Sequence, residues 1–256
     1  MRAAFIAWLW IGGVLPVCLR AEIKTGAYAP DVEAKAWLNT DGQSLSLTDL
    51  RGMIVGLFFF GPDSAKEVMP VMTRINGSVV GERAGVYVVG LVEAEEKTMV
   101  DLIKKEKFSL PLGVDARKAF DDFEIKSGPR LVLLDPAGKV AWVDWPSEKG
   151  DKGIDRIAGQ IEKVYTDTPP KRTHPEIAAM VATYLKQARQ SLRADRIREA
   201  YEAADKANDA ALRGDPLKKR CQDMLDLIGA LGRDRLAAAD RAVEEQKYED
   251  AVGLLL

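Results

Sequence analysis

The sequence predicts an α/β domain with a mixed central sheet covered by helices, followed by an all-α region of helical hairpins. Three observations carry this. Residues 53–60 (MIVGLFFF) and 86–92 (VYVVGLV) are apolar runs of strand length, the mark of strands buried on both faces. Segments of helical periodicity separate them, which implies a partly parallel sheet with helices on both sides. Beyond Pro175 every apolar stripe has helical spacing.

The elements follow in order. Residues 45–47 with 49–52 predict a short strand and turn. Residues 64–80 predict a helix containing Pro70. Residues 95–107 form an amphipathic helix with Met99, Leu102 and Ile103 on one side, and 116–123 a short helix. Residues 130–134 and 139–143 read as a hairpin around Asp135-Pro136-Ala137-Gly138. Residues 153–165 close the first domain, assigned to 27–165. Residues 166–175 (TDTPPKRTHP) are polar and proline-rich and read as a linker. In residues 176–256, stripes run through Ile177–Leu192, Ile197–Ala211 and Leu217–Leu231, with Gly214-Asp215-Pro216 and Gly232 at helix ends. The chain stops in AVGLLL, an apolar helix without a polar tail, which leaves open a helical region that continues further.

Composition narrows the function classes. With 256 residues, 47% hydrophobic and 30% charged, the chain reads as soluble and globular, one ordinary domain plus a smaller one. A net charge of −2, with no basic stripe, speaks against nucleic acid as a partner. Residues 1–21 have a positive start, an apolar run and a small residue at a cleavage point, the pattern of a secretory signal peptide. The run is roughly 17 residues, at the lower limit for a spanning helix, so a retained anchor is the alternative. Val17 is too bulky for a lipoprotein signal ending at Cys18. Export to the periplasm or cell envelope is expected, with membrane contact only through an uncleaved signal or a lipid anchor.

Removing the signal leaves Cys221 as the sole cysteine and His174 as the sole histidine. No internal disulfide can then form, and a histidine-based metal site or catalytic triad has too few members. Cys221 lies on an apolar stripe and reads as a buried thiol, with an intermolecular disulfide as the alternative. His174 reads as a solvated linker residue. Glu93, Glu95 and Glu96 read as a solvated helix start, since no other ligand is placeable beside them. No cofactor or metal is expected.

The pieces of the first domain, in their order and spacing, resemble the thioredoxin-like redoxins, including exported thiol-disulfide oxidoreductases and the related peroxiredoxins. Ala29-Pro30 resembles the opening motif of that family. DGQSLSLTDLRG, MIVGLFFF, AGVYVVGL, FSLPLGVD and SGPRLVLLDPAGKV resemble its successive segments. The resemblance implies a Cys-x-x-Cys site at the start of the helix after MIVGLFFF. Counting back from the helix-kinking Pro70, Pro62 and Ala65 occupy the two cysteine positions and Gly61 the preceding tryptophan position. It also implies a cis peptide bond at Pro129, after Gly128, in a loop beside the site that binds extended peptides. Without sulfur there is no thiolate for a helix N-terminus to stabilise, no mixed disulfide and no two-electron couple. Ser64 cannot replace it without a general base. Pro62 fits a structural helix start, and an anion or peptide contact at exposed N–H groups is the functional alternative.

ADRIREAYEAADKA and AVEEQKYEDAVGLLL each resemble half of a tetratricopeptide unit, whose concave face would bind a protein or peptide. Ala200 and Ala251 lie 51 residues apart rather than the usual 34. The expected function is a non-catalytic binding or scaffolding module. Two alternatives stand beside it: a redoxin-class oxidoreductase or antioxidant protein using a thiol from elsewhere, Cys221 or a partner's, and a structural fragment of a longer product.

Overall fold

The computed structural model describes residues 23–80, 84–148 and 150–255. The expected signal segment lies outside them. Six strands form one sheet: β1 (Ala36–Leu38), β2 (Ile54–Phe60), β3 (Val86–Val92), β4 (Leu112–Val114), β5 (Arg130–Leu134) and β6 (Val140–Asp144). Their spatial order is β1-β4-β3-β2-β5-β6, with β2, β3 and β4 parallel and the other pairings antiparallel. The helices α1 (Ala65–Ile75), α2 (Glu96–Glu106) and α3 (Arg117–Asp122) connect strands, and α4 (Asp151–Asp167) follows the last of them.

Side chains alternate along β2, and this divides the core in two. Ile54, Phe58 and Phe60 face α1 and α4, packing with Val68, Met69, Met72, Ile157 and Ile161. Val55, Leu57 and Phe59 face α3 and the 32–50 segment, where Phe59 meets Phe120 at 5.2 Å and Phe123 at 5.0 Å between ring centroids. All seven β2 residues are buried, as expected of a strand paired on both edges.

Residues 45–47 are not a strand. The Asp31 carboxylate accepts the Leu47 N–H at 2.6 Å and the Ser46 hydroxyl at 2.7 Å. That side chain takes the N–H a ladder would have used. The strand in this region is β1, which the sequence reading missed.

The second region holds α5 (Pro175–Arg193), α6 (Ile197–Ala210), α7 (Pro216–Glu244) and α8 (Tyr248–Leu255). Ala200, Ala204 and Ala207 on α6 are fully buried against Val181, Leu185 and Ala188 of α5 and Cys221 and Ile228 of α7. These small residues let the helices approach closely. Gly232 does not end a helix; it lies inside α7. A glycine in a helix interior costs only about 1 kcal/mol, too little to stop a helix continued on both sides.

The α5–α6 and α7–α8 turns are built alike. Asp195 (φ 62°) and Gln246 (φ 59°) are left-handed. After each, an N–H reaches five residues back, Arg196 to the Ser191 carbonyl at 2.9 Å and Lys247 to the Ala242 carbonyl at 2.8 Å. This closes each preceding helix. Arg235 of α7 pairs with Asp195 in the first of these turns.

The expected linker is a structured strap. Helix α4 runs to Asp167, and the segment beyond it is pinned on both sides. Toward the sheet domain, the Lys171 and Arg172 N–H groups share the Gly52 carbonyl at 2.8 and 3.1 Å, and the His174 N–H donates to the Ala84 carbonyl at 2.5 Å. Toward the helical region, the Thr173 N–H donates to Asp215 Oδ2 at 2.6 Å and the Leu212 N–H to Thr173 Oγ1 at 3.3 Å. His174 is 5% exposed, not solvated. The correction has a physical cause: the segment's polar groups find partners on two domains, which local composition cannot reveal.

Gly85 marks how close this junction is. A Cβ there would lie 2.4 Å from Pro170 Cγ and 3.1 Å from Leu212 Cδ2. Gly85→Ala is therefore expected to lower stability by about 1–3 kcal/mol through overpacking. Urea denaturation with protease digestion as a second readout measures this, and cleavage should rise first around residues 168–174.

Candidate functional site

Strand β2 delivers the chain to the position where the resemblance places a redox site. Gly61 is extended (φ −90°, ψ 168°) and caps a 3₁₀ turn, Pro62–Ser64, which leads into α1. Pro62 occupies the first turn, where its missing N–H is no loss and its φ is suited. Pro62 is exposed and Ala65 is fully buried. The Gly61 carbonyl accepts both the Ser64 N–H at 3.2 Å and the Ser64 hydroxyl at 3.1 Å. Ser64 is thus a turn-forming residue held to backbone, with no base to activate it.

Asp63 and Glu67 stand in the first turns of this helical stretch. Their carboxylates complement the positive helix end and oppose a second anion there. That weighs against the anion contact and leaves the peptide contact as the functional alternative.

The Gly128-Pro129 segment emerges beside this turn. Phe59 pairs with Arg130, so the register carried one and two residues further sets Phe60 beside Pro129 and Gly61 beside Gly128. The sequence reading expected a cis bond at Pro129. No described peptide bond is cis. Gly128, before the proline, is left-handed at φ +65°, and the Pro129 bond has the trans form that X–Pro bonds ordinarily favour by about 0.5–1 kcal/mol.

A groove of about 330 Å³ runs along α1 and α4 next to this end of the sheet, lined by Pro70, Val71, Trp145, Pro146, Ile154 and Ile157 among others. Trp145 is fixed from below by an edge-on contact with Phe58, 6.3 Å between centroids. Arg74–Asp151 and Arg156–Glu148 ion pairs lie around it.

Cys221 is not brought to this site. It is fully buried in the helical-region core. Burial raises its thiol pKa, with nearby Lys218 and Arg220 only partly offsetting the effect. A thiolate is disfavoured there. Among the described residues no cluster of His, Cys, Asp or Glu could hold a metal ion.

One set of perturbed groups escaped sequence reasoning. His174 stacks on Tyr87 with ring centroids 4.9 Å apart. Burial lowers the His174 pKa and raises that of Tyr87, and the Glu176 carboxylate pushes both upward. Tyr87 pairs with Val55 near the start of β2, at the sheet end opposite Gly61. The available signal was Thr-His-Pro directly before an apolar helical stripe, a helix-capping pattern.

The strand order, with parallel β2, β3 and β4, antiparallel β5 and β6, and a helix starting at Pro62 after β2, is that of a thioredoxin-like fold. Residues 25–143 match the model of the AhpC/TSA family. Over these residues the first domain is similar to the redoxins. Solved structures similar to the redoxin domain include a thioredoxin-like superfamily protein, 19% identical over 54% of this chain and 96% of its own, TM-score 0.46. The thioredoxin domain of a thiol-disulfide oxidoreductase from Bacteroides vulgatus is 20% identical over 54% and 98%, TM-score 0.44. A thiol:disulfide interchange protein of the thioredoxin family from Chlorobium tepidum is 19% identical over 54% and 97%, TM-score 0.44. No curated protein matches the chain.

Two outcomes follow from this geometry. Introducing Pro62→Cys with Ala65→Cys should create a reducible disulfide, because the two positions share one helical turn; thiol titration before and after reduction measures it. Native Cys221 should resist a maleimide reagent and react fully in denaturant, as mass spectrometry would show.

Proposed function

We propose that the chain is an exported, non-catalytic redoxin-domain protein that binds a protein or peptide partner in the cell envelope. The observation that carries this reading is that Pro62 and Ala65 stand where the family resemblance puts the two cysteines. The helix start is intact, yet nothing at it can ionise to a nucleophile, form a mixed disulfide or pass two electrons. Fold alone does not restore the activity.

Several features support a binding role. The exposed Pro62 turn, the Gly128-Pro129 segment and the apolar groove beside Trp145 lie on neighbouring parts of the domain. The paired helical hairpins support tetratricopeptide-like packing and a second protein-binding surface. Export rests on the signal-like residues 1–21. Among the described residues no helix is long and apolar enough to cross a membrane.

The enzymatic alternative needs a thiol from elsewhere. Within this chain Cys221 is the only candidate outside the signal-like segment, and its burial, with a raised pKa, argues against it. Insulin reduction and peroxide consumption by the purified protein test the proposal. Turnover should equal that of the Cys221→Ala variant and of buffer; turnover above that variant overturns the proposal in favour of the enzyme.

A further inference from the structure

Three of the four buried polar or charged residues among those described sit at one place: Thr173, His174 and Asp215, where the strap joins the redoxin domain to the helical region. Thr173 and Asp215 hold the helical side. Asp215 Oδ2 accepts the Thr173 N–H, and its Oδ1 caps α7 by accepting the Leu217 N–H at 2.7 Å. His174 holds the redoxin side through its N–H to Ala84 and its ring on Tyr87.

The imidazole has a further duty. His174 Nδ1 accepts the Glu176 N–H at 3.2 Å, capping the first turn of α5. An accepting Nδ1 carries no proton, so the neutral ring bears its hydrogen on Nε2. Adding a proton to Nδ1 turns the acceptor into a donor facing another donor. It removes the cap, and it places a cation in a site that is 5% exposed.

We propose that His174 is a proton-sensitive latch: its neutral ring holds the strap between the two domains, and its protonation releases the helical region from the redoxin domain.

The charged surroundings set the window. Glu176, on α5 itself, stabilises the imidazolium but does not outweigh burial, which is the larger effect and lowers the His174 pKa below its ordinary 6.5. Tyr87 on β3 is neutral in this range, and burial raises its pKa further. Arg172 of the strap, bonded to the Asp49 carbonyl, opposes a second cation. Asp41 and Asp49 line a cavity of about 440 Å³ together with His174 and Glu176. Asp215 on α7 is already committed to two N–H groups. With a folded value below the open one, the open form binds the proton first. The latch is complete above about pH 6.5 and is lost progressively as pH falls from there toward the lower folded value.

Hydrogen exchange on the untagged full chain tests this, read at the amides of Lys171, Arg172, Thr173, His174 and Glu176. After correction for intrinsic exchange, their opening constant should rise by up to about tenfold per pH unit below pH 6.5, while β3 and β5 amides keep their protection. His174→Asn retains a capping acceptor without titrating and should flatten the profile. An unchanged profile in that variant, or no pH response in the wild type, overturns the latch. As a check independent of any variant, the chain's one histidine gives a single imidazole NMR titration. A midpoint below 6.5 that coincides with loss of strap protection supports the proposal, and a midpoint at or above 6.5 overturns it.

Discussion

Strand β2 has a hydrogen-bonded neighbour on each edge and a packed layer on each face. A strand held on four sides has one place for its end. Phe60 is therefore fixed, and with it the extended Gly61 and the helix start at Pro62. The local shape of this site comes from aromatic and aliphatic burial rather than from the groups that would do chemistry there. Pro62 suits the first helical turn and Ala65 fits a fully buried position, so both residues are compatible with this geometry.

Much of this was legible in the sequence, for a reason visible in particular residues. Ile54–Phe60 and Val86–Val92 are buried on both faces, so they read as unbroken apolar runs. Pro62 and Gly214-Asp215-Pro216 are punctuation whose effect is local. What was not legible depends on distant partners. Leu45-Ser46-Leu47 alternates like a strand, but a carboxylate at Asp31 claims its backbone. Ala36–Leu38 is too short and too evenly half-buried to show a period. The Pro129 bond is trans where the family resemblance implied cis. His174 looked solvated because Ala84 and Tyr87 are far away in the chain.

The strap changes how the two domains are to be thought of. A polar, proline-rich segment usually signals freedom between modules. Here four of its backbone N–H groups are used, two on one carbonyl of the redoxin domain, one on another and one on a helical-region carboxylate. Gly52 and Gly85 admit the strap because a side chain at either would meet Arg172 or Pro170. The junction is thus specified from both sides, by absent side chains in one domain and by hydrogen-bond acceptors in both.

The two helical hairpins share a turn but not a length. Helix α5 has 19 residues and α7 has 29. The Arg235–Asp195 pair marks the level at which α7 passes the end of the first hairpin. The nine residues from 236 to 244 run on from there, roughly 14 Å at the rise of an α-helix. The turn into α8 is carried out by that overhang. The hairpins therefore meet as successive steps of a staircase, and the added length of α7 contributes to the 51-residue spacing of Ala200 and Ala251.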